Sequence, residues 1–298
     1  MAAEARDKHF PSVLITDLDN TLWDWFAAWH DSFAPMLDRL SVLSGIPTNV
    51  LEPEIRAIHQ LRGTSEYSNL LNELPSLISQ GGELTPLERY DEAVHVLNSR
   101  RLEATQLYPG VKDTLRTLKA RGVTIAAYTE SVAYWTEWRV KHTGLDGLIG
   151  SLYSAPDHDL PRGTTIESLR RRPPEEYGLN STIHKHIPRH ELKPNPAVLK
   201  YIISDIGAEP ADTIYVGDSL MKDVAMARSA GVLDAYAKYG TVQSRPEYEL
   251  LRRVSHWPEE TVERERSYMH TPQVEPTVIL DVGFADILQV FGLVSDNQ

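Results

Sequence analysis

The chain of 298 residues contains no cysteine, fewer basic than acidic residues and no long apolar run. Without cysteine it has neither disulfides nor thiolate metal ligands. Its 30 lysines and arginines against 42 acids give a formal net charge of −12, which argues against nucleic acid or an anionic membrane surface as a partner. Residues 1–11 are polar and no later stretch reaches membrane-spanning length, so we expect a cytoplasmic protein without a signal peptide.

The first motif is a pair of carboxylates directly after an apolar run. Residues 13–15 predict a buried strand of a parallel sheet, and the motif Asp17-x-Asp19-x-Thr21 follows it. In a regular strand the two aspartates point the same way, and like charges held that close repel unless a cation or a shared proton compensates. The ends of parallel strands are also where α/β folds bind ligands. The motif therefore predicts a metal site.

Three more polar groups stand where a predicted strand or loop ends. A strand over residues 123–128 leads into Thr129-Glu130-Ser131, and a strand over 213–216 leads into Gly217-Asp218, with Asp223 one helical turn later. Between them, Lys193-Pro194 opens a predicted helix. Parallel strands bring such groups to one edge of a sheet. We therefore expect a phosphoryl-transfer site assembled from distant parts of the sequence.

The alternation of strands and helices predicts an α/β fold, a doubly wound parallel sheet in a Rossmann-like three-layer core. The gap between the first two strands is far longer than a crossover needs. Apolar residues at helical spacing fill it with four predicted helices, near 25–40, 51–61, 70–78 and 85–97. We thus expect a core of residues 1–24 and 106–298 and a helical bundle of residues 25–105. Residues 154–192 are predicted to be mostly irregular and 244–272 to be polar and helical, both with undetermined roles.

The order of these motifs resembles the haloacid dehalogenase superfamily, and within it the phosphatases. The similarity runs from about Ser12 to Tyr239 and includes Tyr108-Pro109-Gly110-Val111 and Ala230-Gly231-Val232, which resemble phrases of phosphoglycolate-phosphatase-like members. The resemblance implies that the helical segment 25–105 is a cap domain that closes over the site.

The resemblance also implies a role for each acid. Asp17 is the nucleophile that forms an aspartyl phosphate, and Asp19 protonates the leaving oxygen and then activates water. Mg²⁺ is the expected cofactor, with Asp17, the backbone carbonyl of Asp19 and Asp218 as its ligands. Asp223 is expected to support these ligands without touching the ion.

The remaining candidates bind phosphate or face the substrate. Thr129 through its hydroxyl, Glu130 through its backbone amide and Lys193 through its charge are expected to bind the phosphoryl group. Substrate-facing positions are expected at Trp23 and in the loop from Arg62 to Tyr67. The alternatives are packing against the cap for Trp23 and an ordinary loop between helices for the other two.

Together these features predict a Mg²⁺-dependent phosphomonoester hydrolase that acts on a small phosphorylated metabolite. Two alternatives stay open: a sugar-phosphate phosphomutase of the same superfamily, and a catalytically idle relative that binds a phosphorylated ligand. The intact set of acids, threonine and lysine counts against the idle relative. The sequence identifies neither the substrate nor the oligomeric state.

Overall fold

The strands of this chain form one parallel sheet. The computed structural model describes residues 10–293, apart from 158–159, 162, 164, 170–172, 174–175 and 271–273. Within these residues the sheet has seven strands in the order β4-β3-β2-β1-β5-β6-β7, and every adjacent pair is parallel. The strands are β1 (Val13–Thr16), β2 (Thr124–Val132), β3 (Ser151–Ala155), β4 (Ile183–His186), β5 (Thr213–Gly217), β6 (Leu233–Ala237) and β7 (Val278–Leu280).

Helices cover both faces of the sheet and form a separate cluster above its edge. They are α1 (Trp25–Ser44), α2 (Thr48–Arg62), α3 (Pro75–Ser79), α4 (Pro86–Arg89), α5 (Asp91–Ala104), α6 (Val111–Ala120), α7 (Ala133–His142), α8 (Ile166–Leu169), α9 (Pro196–Asp205), α10 (Ala225–Ala230), α11 (Tyr248–Val254), α12 (Glu259–His270) and α13 (Ile287–Val290). Short helical turns lie at Leu70–Glu73, Pro210–Asp212, Leu220–Val224, Lys238–Gly240 and Phe284–Asp286.

The central strand β1 is buried on both sides, as its apolar sequence requires. Leu14 packs into a cluster with α6 and α13, whereas Val13 and Ile15 pack into a second cluster with α9 and α10. This division follows from the alternation of side chains along a strand. The α/β fold and the parallel sheet predicted from the sequence are therefore confirmed.

A third apolar cluster lies outside the sheet and joins α1, α2 and α5. The first of these helices begins where Asp24 accepts a hydrogen bond from the Ala27 N–H at 2.8 Å and ends at Gly45, whose φ of 70° is left-handed. Tyr248, Leu251 and Val254 of α11 belong to the same cluster. The C-terminal segment therefore packs on the helices of residues 25–105, and the domain division at residues 24 and 106 stays a prediction.

Three local features differ from the sequence prediction. The helix predicted near 70–78 is a short turn followed by α3, and the one predicted from Thr85 divides at Tyr90, whose ψ of 31° departs from helical geometry. The segment 154–192, expected to be mostly irregular, also contains β4, which extends the sheet beyond β3. Among the described residues, no helix combines the length and apolarity that crossing a bilayer requires.

Candidate active site

The carboxyl ends of β1, β2 and β5 meet at one edge of the sheet, and the predicted site residues lie there. Asp17 follows β1, Asp218 follows β5, and Thr129 lies in the last part of β2. The Asp17 N–H donates to the Val216 carbonyl at 2.7 Å, which continues the ladder between β1 and β5 by one residue. The backbone of the sheet therefore fixes the position of the first carboxylate.

Three carboxylates form the centre of this edge. Asp17, Asp218 and Asp223 each offer an oxygen, and these oxygens lie within 4.8 Å of one another. Burial raises the pKa of Asp17 to about 7, against the lowering effect of the neighbouring Lys193. Burial and the charges of Asp17 and Asp223 raise the pKa of Asp218 well above its usual value. A fold that keeps carboxylates together despite burial and the repulsion between like charges favours a bound cation.

Lys193 is the cation that the chain itself supplies to the cluster. Its Nζ donates to Asp17 and, at 2.8 Å, to Asp223, and the rings of Tyr128 and Tyr215 lie 5.0 and 5.6 Å from it. Burial alone lowers the pKa of this lysine, but the two aspartates raise it well above the usual value. Among the described residues, Lys193 is the one lysine that bonds these acids, and the nearby Lys222 is paired with Glu130. The donor set therefore fits Mg²⁺.

Asp223 is already engaged by protein donors. Oδ1 accepts from Lys193 and, at 3.1 Å, from the Tyr215 hydroxyl, and Oδ2 accepts from the Ser219 N–H at 3.1 Å. A Cβ at Gly217 would approach the Asp223 carboxylate carbon to 2.2 Å, so this position requires glycine. Both carboxylate oxygens of Asp223 thus bond protein donors, and its supporting role stays a prediction.

The Asp19 carboxylate points away from this cluster and is held by two donors. Trp23 Nε1 donates to Oδ1 at 2.7 Å and Ser131 Oγ donates to Oδ2 at 2.6 Å. The next residue, Asn20, has a left-handed φ of 57°, and its side chain accepts from the Phe26 N–H at 3.0 Å. This turn separates the side chain of Asp19 from that of Asp17, which leaves the two carboxylates free for different tasks.

The phosphate-binding candidates lie beside the same edge. Thr129 is buried, and its Oγ1 accepts from the Ser131 N–H at 3.1 Å. The Glu130 carboxylate pairs with Lys222 at 2.6 Å and accepts from the Lys193 N–H at 2.7 Å. Although burial raises the pKa of Glu130, these lysines lower it below the usual value. A charged carboxylate repels phosphate, so its side chain serves to hold the two lysines.

A cavity of about 520 Å³ opens from these residues, a size typical of sites for small molecules. One wall is the catalytic edge itself. A second comprises Trp25 and the loop 63–66, and a third comes from residues 243–265. The cavity therefore lies between the sheet, the helical segment 25–105 and the C-terminal helices.

Three predicted substrate-facing residues lie outside the described lining of this cavity. Trp23 is fully buried in the cluster under the sheet edge and binds Asp19. Arg62 pairs with Glu73, and the Tyr67 hydroxyl donates to the same carboxylate at 2.6 Å. The helical geometry of α2 directs Arg62 towards Glu73, so the adjacent residues 63–66 contact the cavity instead.

Glu66, which no sequence motif predicted, joins the loop 63–66 to the core. Its carboxylate pairs with Arg139 of α7 and accepts from Trp25 Nε1 at 3.0 Å, and its carbonyl accepts from Trp135 Nε1 at 2.9 Å. The guanidinium of Arg101 stacks 4.2 Å above the Trp135 ring. These partners come from separate segments, so no local pattern reveals them. Lys222 was also missed, although its place between Asp218 and Asp223 was a usable signal.

The sequence is similar to known phosphatases over part of its length. A phosphoglycolate phosphatase of Pseudomonas putida strain KT2440 is 30% identical over 238 residues, covering 79% of this chain and 72% of that protein. Phosphoglycolate phosphatase 1 of Pseudomonas aeruginosa strain PAO1 is 30% identical over 142 residues, 48% of this chain and 40% of that protein. A phosphoglycolate phosphatase of Haemophilus influenzae strain 86-028NP is 27% identical over 136 residues, 46% of each chain. The chain thus spans less than half the length of the last two.

Solved structures share the fold. A 2-haloacid dehalogenase from Pseudomonas syringae pv. Tomato DC3000 superposes with a TM-score of 0.56 at 18% identity, covering 95% of this chain and 98% of that one. The magnesium-bound HAD-hydrolase YfnB from Bacillus subtilis gives a TM-score of 0.50 at 16% identity, covering 95% and 99%. At such identities the likeness concerns the fold alone. A family model for haloacid dehalogenase-like hydrolases matches residues 11–231, and because this range contains every motif of the site, the chain belongs to that family.

Proposed function

We propose that the protein is a Mg²⁺-dependent phosphomonoester hydrolase that acts on a small phosphorylated metabolite through an aspartyl phosphate. The observation that carries this proposal is the separation of two carboxylates at the end of β1. Asp17 lies in a buried acidic cluster that bonds one lysine among the described residues, whereas Asp19 is held outside it by Trp23 and Ser131. This separation supports attack by Asp17 and proton transfer by Asp19.

The proposed reaction has two steps. An Asp17 oxygen attacks phosphorus, and the bond from phosphorus to the leaving oxygen breaks while Asp19 gives that oxygen its proton. Asp19, now a carboxylate, takes a proton from water as the water oxygen attacks phosphorus, which releases phosphate and regenerates Asp17. Lys193, which bonds Asp17, offsets negative charge in both steps.

The metal site is part of the proposal. Asp17, Asp218 and the carbonyl of Asp19 would hold Mg²⁺, and Asp223 would keep Lys193 and the Ser219 backbone in place. When bound, the ion supplies positive charge that offsets the carboxylates and the phosphoryl oxygens. The shortage of cationic side chains around these acids supports this assignment.

We propose further that residues 25–105 act as a cap that excludes water and contributes to substrate selection. The loop 63–66 of this segment lines the cavity and is tied to the core through Glu66 and Arg139. A closed cap lowers the local dielectric and protects the phosphorylated aspartate from untimely hydrolysis. A cytoplasmic location stays a prediction of the sequence.

The test is phosphate release from a panel of phosphomonoesters, with and without Mg²⁺. The names of the relatives make 2-phosphoglycolate the first ester to try. Asp17→Asn should abolish turnover because a neutral amide cannot form the acyl phosphate, whereas Asp113→Asn, an exposed change of equal charge, should leave it intact. More than a tenth of wild-type activity in Asp17→Asn would contradict the mechanism. An isomerised phosphate ester in place of free phosphate would point to the mutase.

A further inference from the structure

The C-terminal insert, defined here as residues 242–270, forms more of the cavity wall than the segment 25–105 does. Eight of the residues that line the cavity belong to the insert, against five from residues 25–105. A segment that forms this much of the wall can contact a bound ligand and discriminate among ligands.

Hydrogen bonds hold the insert against helix α2. The His59 ring bonds the Val254 carbonyl at 2.6 Å, and Arg56 donates to the Arg252 carbonyl at 2.6 Å. Arg253 pairs with Glu52 at 2.7 Å. Together with the apolar packing of α11 on the same helices, these bonds fix the wall relative to the loop 63–66.

The other end of the insert reaches the catalytic edge. Helix α12 packs against the turn at 220–224, and Arg264 Nε lies 3.2 Å from the sulfur of Met221. Met221 itself lines the cavity three residues after Asp218. Arg264 therefore stands at the cavity, next to the loop that carries a proposed metal ligand.

His256 contributes a neutral group to this wall. The backbone N–H of His256 donates to Ser65 Oγ at 3.2 Å, and Nδ1 of its ring forms a hydrogen bond of 2.9 Å with the same hydroxyl. Burial and the charge of Lys222 lower the pKa of His256 to about 3. At neutral pH the positive charge of this wall consequently comes from arginine.

Arg264 differs from the other cations of the cavity. Lys193 pairs with two aspartates, Lys222 pairs with Glu130, and Arg189 donates to the Arg62 carbonyl. Within the part of the chain that the structure describes, no carboxylate lies within ion-pair distance of Arg264. An exposed guanidinium of this kind, beside a cavity, can form a two-pronged hydrogen bond with a ligand carboxylate.

We propose that Arg264 binds a carboxylate on the leaving-group part of the substrate, so that the preferred substrate is a phosphomonoester that also carries a carboxylate. This inference rests on the proposed function, in which the phosphoryl group lies at Asp17. Arg264 then determines specificity from the opposite wall and takes no part in the chemistry. The insert, together with the loop 63–66, then contacts the leaving-group part of the substrate and determines substrate specificity.

The test measures binding by calorimetry to the full chain with Mg²⁺ present. The ligands are ω-phosphonocarboxylates of increasing length, from phosphonoacetate to 4-phosphonobutyrate, each compared with its neutral amide and with the corresponding bisphosphonate. Arg264→Ala should weaken the best-bound carboxylate by about tenfold to a hundredfold, the usual range for a hydrogen bond between charged groups, and leave its amide unchanged. Arg264→Lys should recover part of the loss. Stronger dependence on Arg264 for the bisphosphonates than for the carboxylates would overturn the choice of carboxylate.

The matched control is Arg266→Ala. Arg266 lies on the same helix but pairs with Glu263 at 2.8 Å and Glu249 at 3.2 Å, so its loss should change neither ligand series. If Arg264→Ala is poorly folded by its thermal melt, Arg264→Gln replaces it. Equal affinity for carboxylates and amides in the wild type, or equal effects of the Arg264 and Arg266 variants, would overturn the inference.

Because binding is measured without turnover, one of the two proposals can be refuted while the other is supported. A protein that binds phosphonocarboxylates through Arg264 but releases no phosphate from any ester contradicts the hydrolysis and supports the inference. A protein that hydrolyses esters at rates independent of Arg264, with no preference for a carboxylate, supports the hydrolysis and overturns the inference.

Discussion

Replacing Asp218 with asparagine is expected to stabilise the metal-free protein, although it removes a proposed metal ligand. Asp17, Asp218 and Asp223 have oxygens within 4.8 Å of one another, and Lys193 is the one basic side chain that bonds them among the described residues. Without a metal ion the folded state must therefore hold this excess of negative charge together. An amide of the same shape removes one of the charges.

The size of the effect follows from the geometry. Two full charges at 4.8 Å repel by about 3.5 kcal/mol at an effective dielectric constant of about 20. Partial protonation reduces the repulsion, because burial and the neighbouring acids raise the pKa values of Asp17 and Asp218. We expect a net gain of about 2 kcal/mol in the free energy of unfolding, or roughly 3 °C in Tm.

The same reasoning fixes the dependence on pH. Asp17 has a usual pKa of 3.8 and a folded value of about 7, so the folded state binds protons more tightly than the unfolded one. The stability that this difference contributes is present at about pH 4 and is lost as pH rises through about 7. Metal-free wild type should lose stability over this interval, and Asp218→Asn should lose less.

The assay is thermal unfolding between pH 5 and pH 8, in chelator and in excess Mg²⁺, with Asp113→Asn as the exposed control. Wild type should gain about 2.7 kcal/mol when Mg²⁺ reaches about a hundred times its Kd, and Asp218→Asn should gain far less. Lower stability of Asp218→Asn than of wild type in chelator at pH 7.5 would refute the electrostatic reasoning. An undiminished response to Mg²⁺ would refute the assignment of the ligand.

Three further substitutions test other parts of the structure. Asp223→Ala should reduce the apparent Mg²⁺ affinity in activity titrations less than Asp218→Ala, because its oxygens already bond protein donors, and equal losses would reject this ranking. Glu66→Gln should lower the free energy of unfolding in urea by about 3 kcal/mol, since it leaves the buried charge of Arg139 without its partner; a loss below about 1 kcal/mol would argue against a structural pair. Tyr67→Phe should leave the order of kcat/KM among phosphomonoesters unchanged, and a reordered panel would show that the tyrosine reaches the substrate.

The catalytic edge was predictable because its determinants are local in the sequence. A short apolar run before Asp17 and another before Asp218 identify buried parallel strands, and the sheet then brings their ends together. The family model confirms the resemblance that these motifs suggested. The roles assigned to the individual residues stay predictions, since they concern chemistry that a fold alone does not test.

The less predictable features depend on tertiary contacts. The helix predicted from Thr85 divides at Tyr90, although its capping box forms as the sequence indicates. Strand β4 has the sequence Ile-His-Lys-His and too few apolar residues to stand out, but its backbone pairs with β3 along the edge of the sheet. Pairing with an existing strand thus compensates for a weak intrinsic preference.

The C-terminal insert shows most directly why the walls of a cavity are harder to predict than its catalytic edge. Arg264 and Arg266 are two residues apart in one polar helix, and both are next to Glu265 in the sequence. Positions two apart lie on different sides of a helix. Arg266 accordingly pairs with Glu249 and Glu263, whereas Arg264 lies at the cavity beside Met221. The difference between them arises from the packing of α11 against α2, where Arg56 and Arg252 are 196 positions apart, and of α12 against the catalytic turn, where Met221 and Arg264 are 43 positions apart. Charge patterns along the chain reveal that a helix is polar, but only such contacts determine which of its charges meets a ligand.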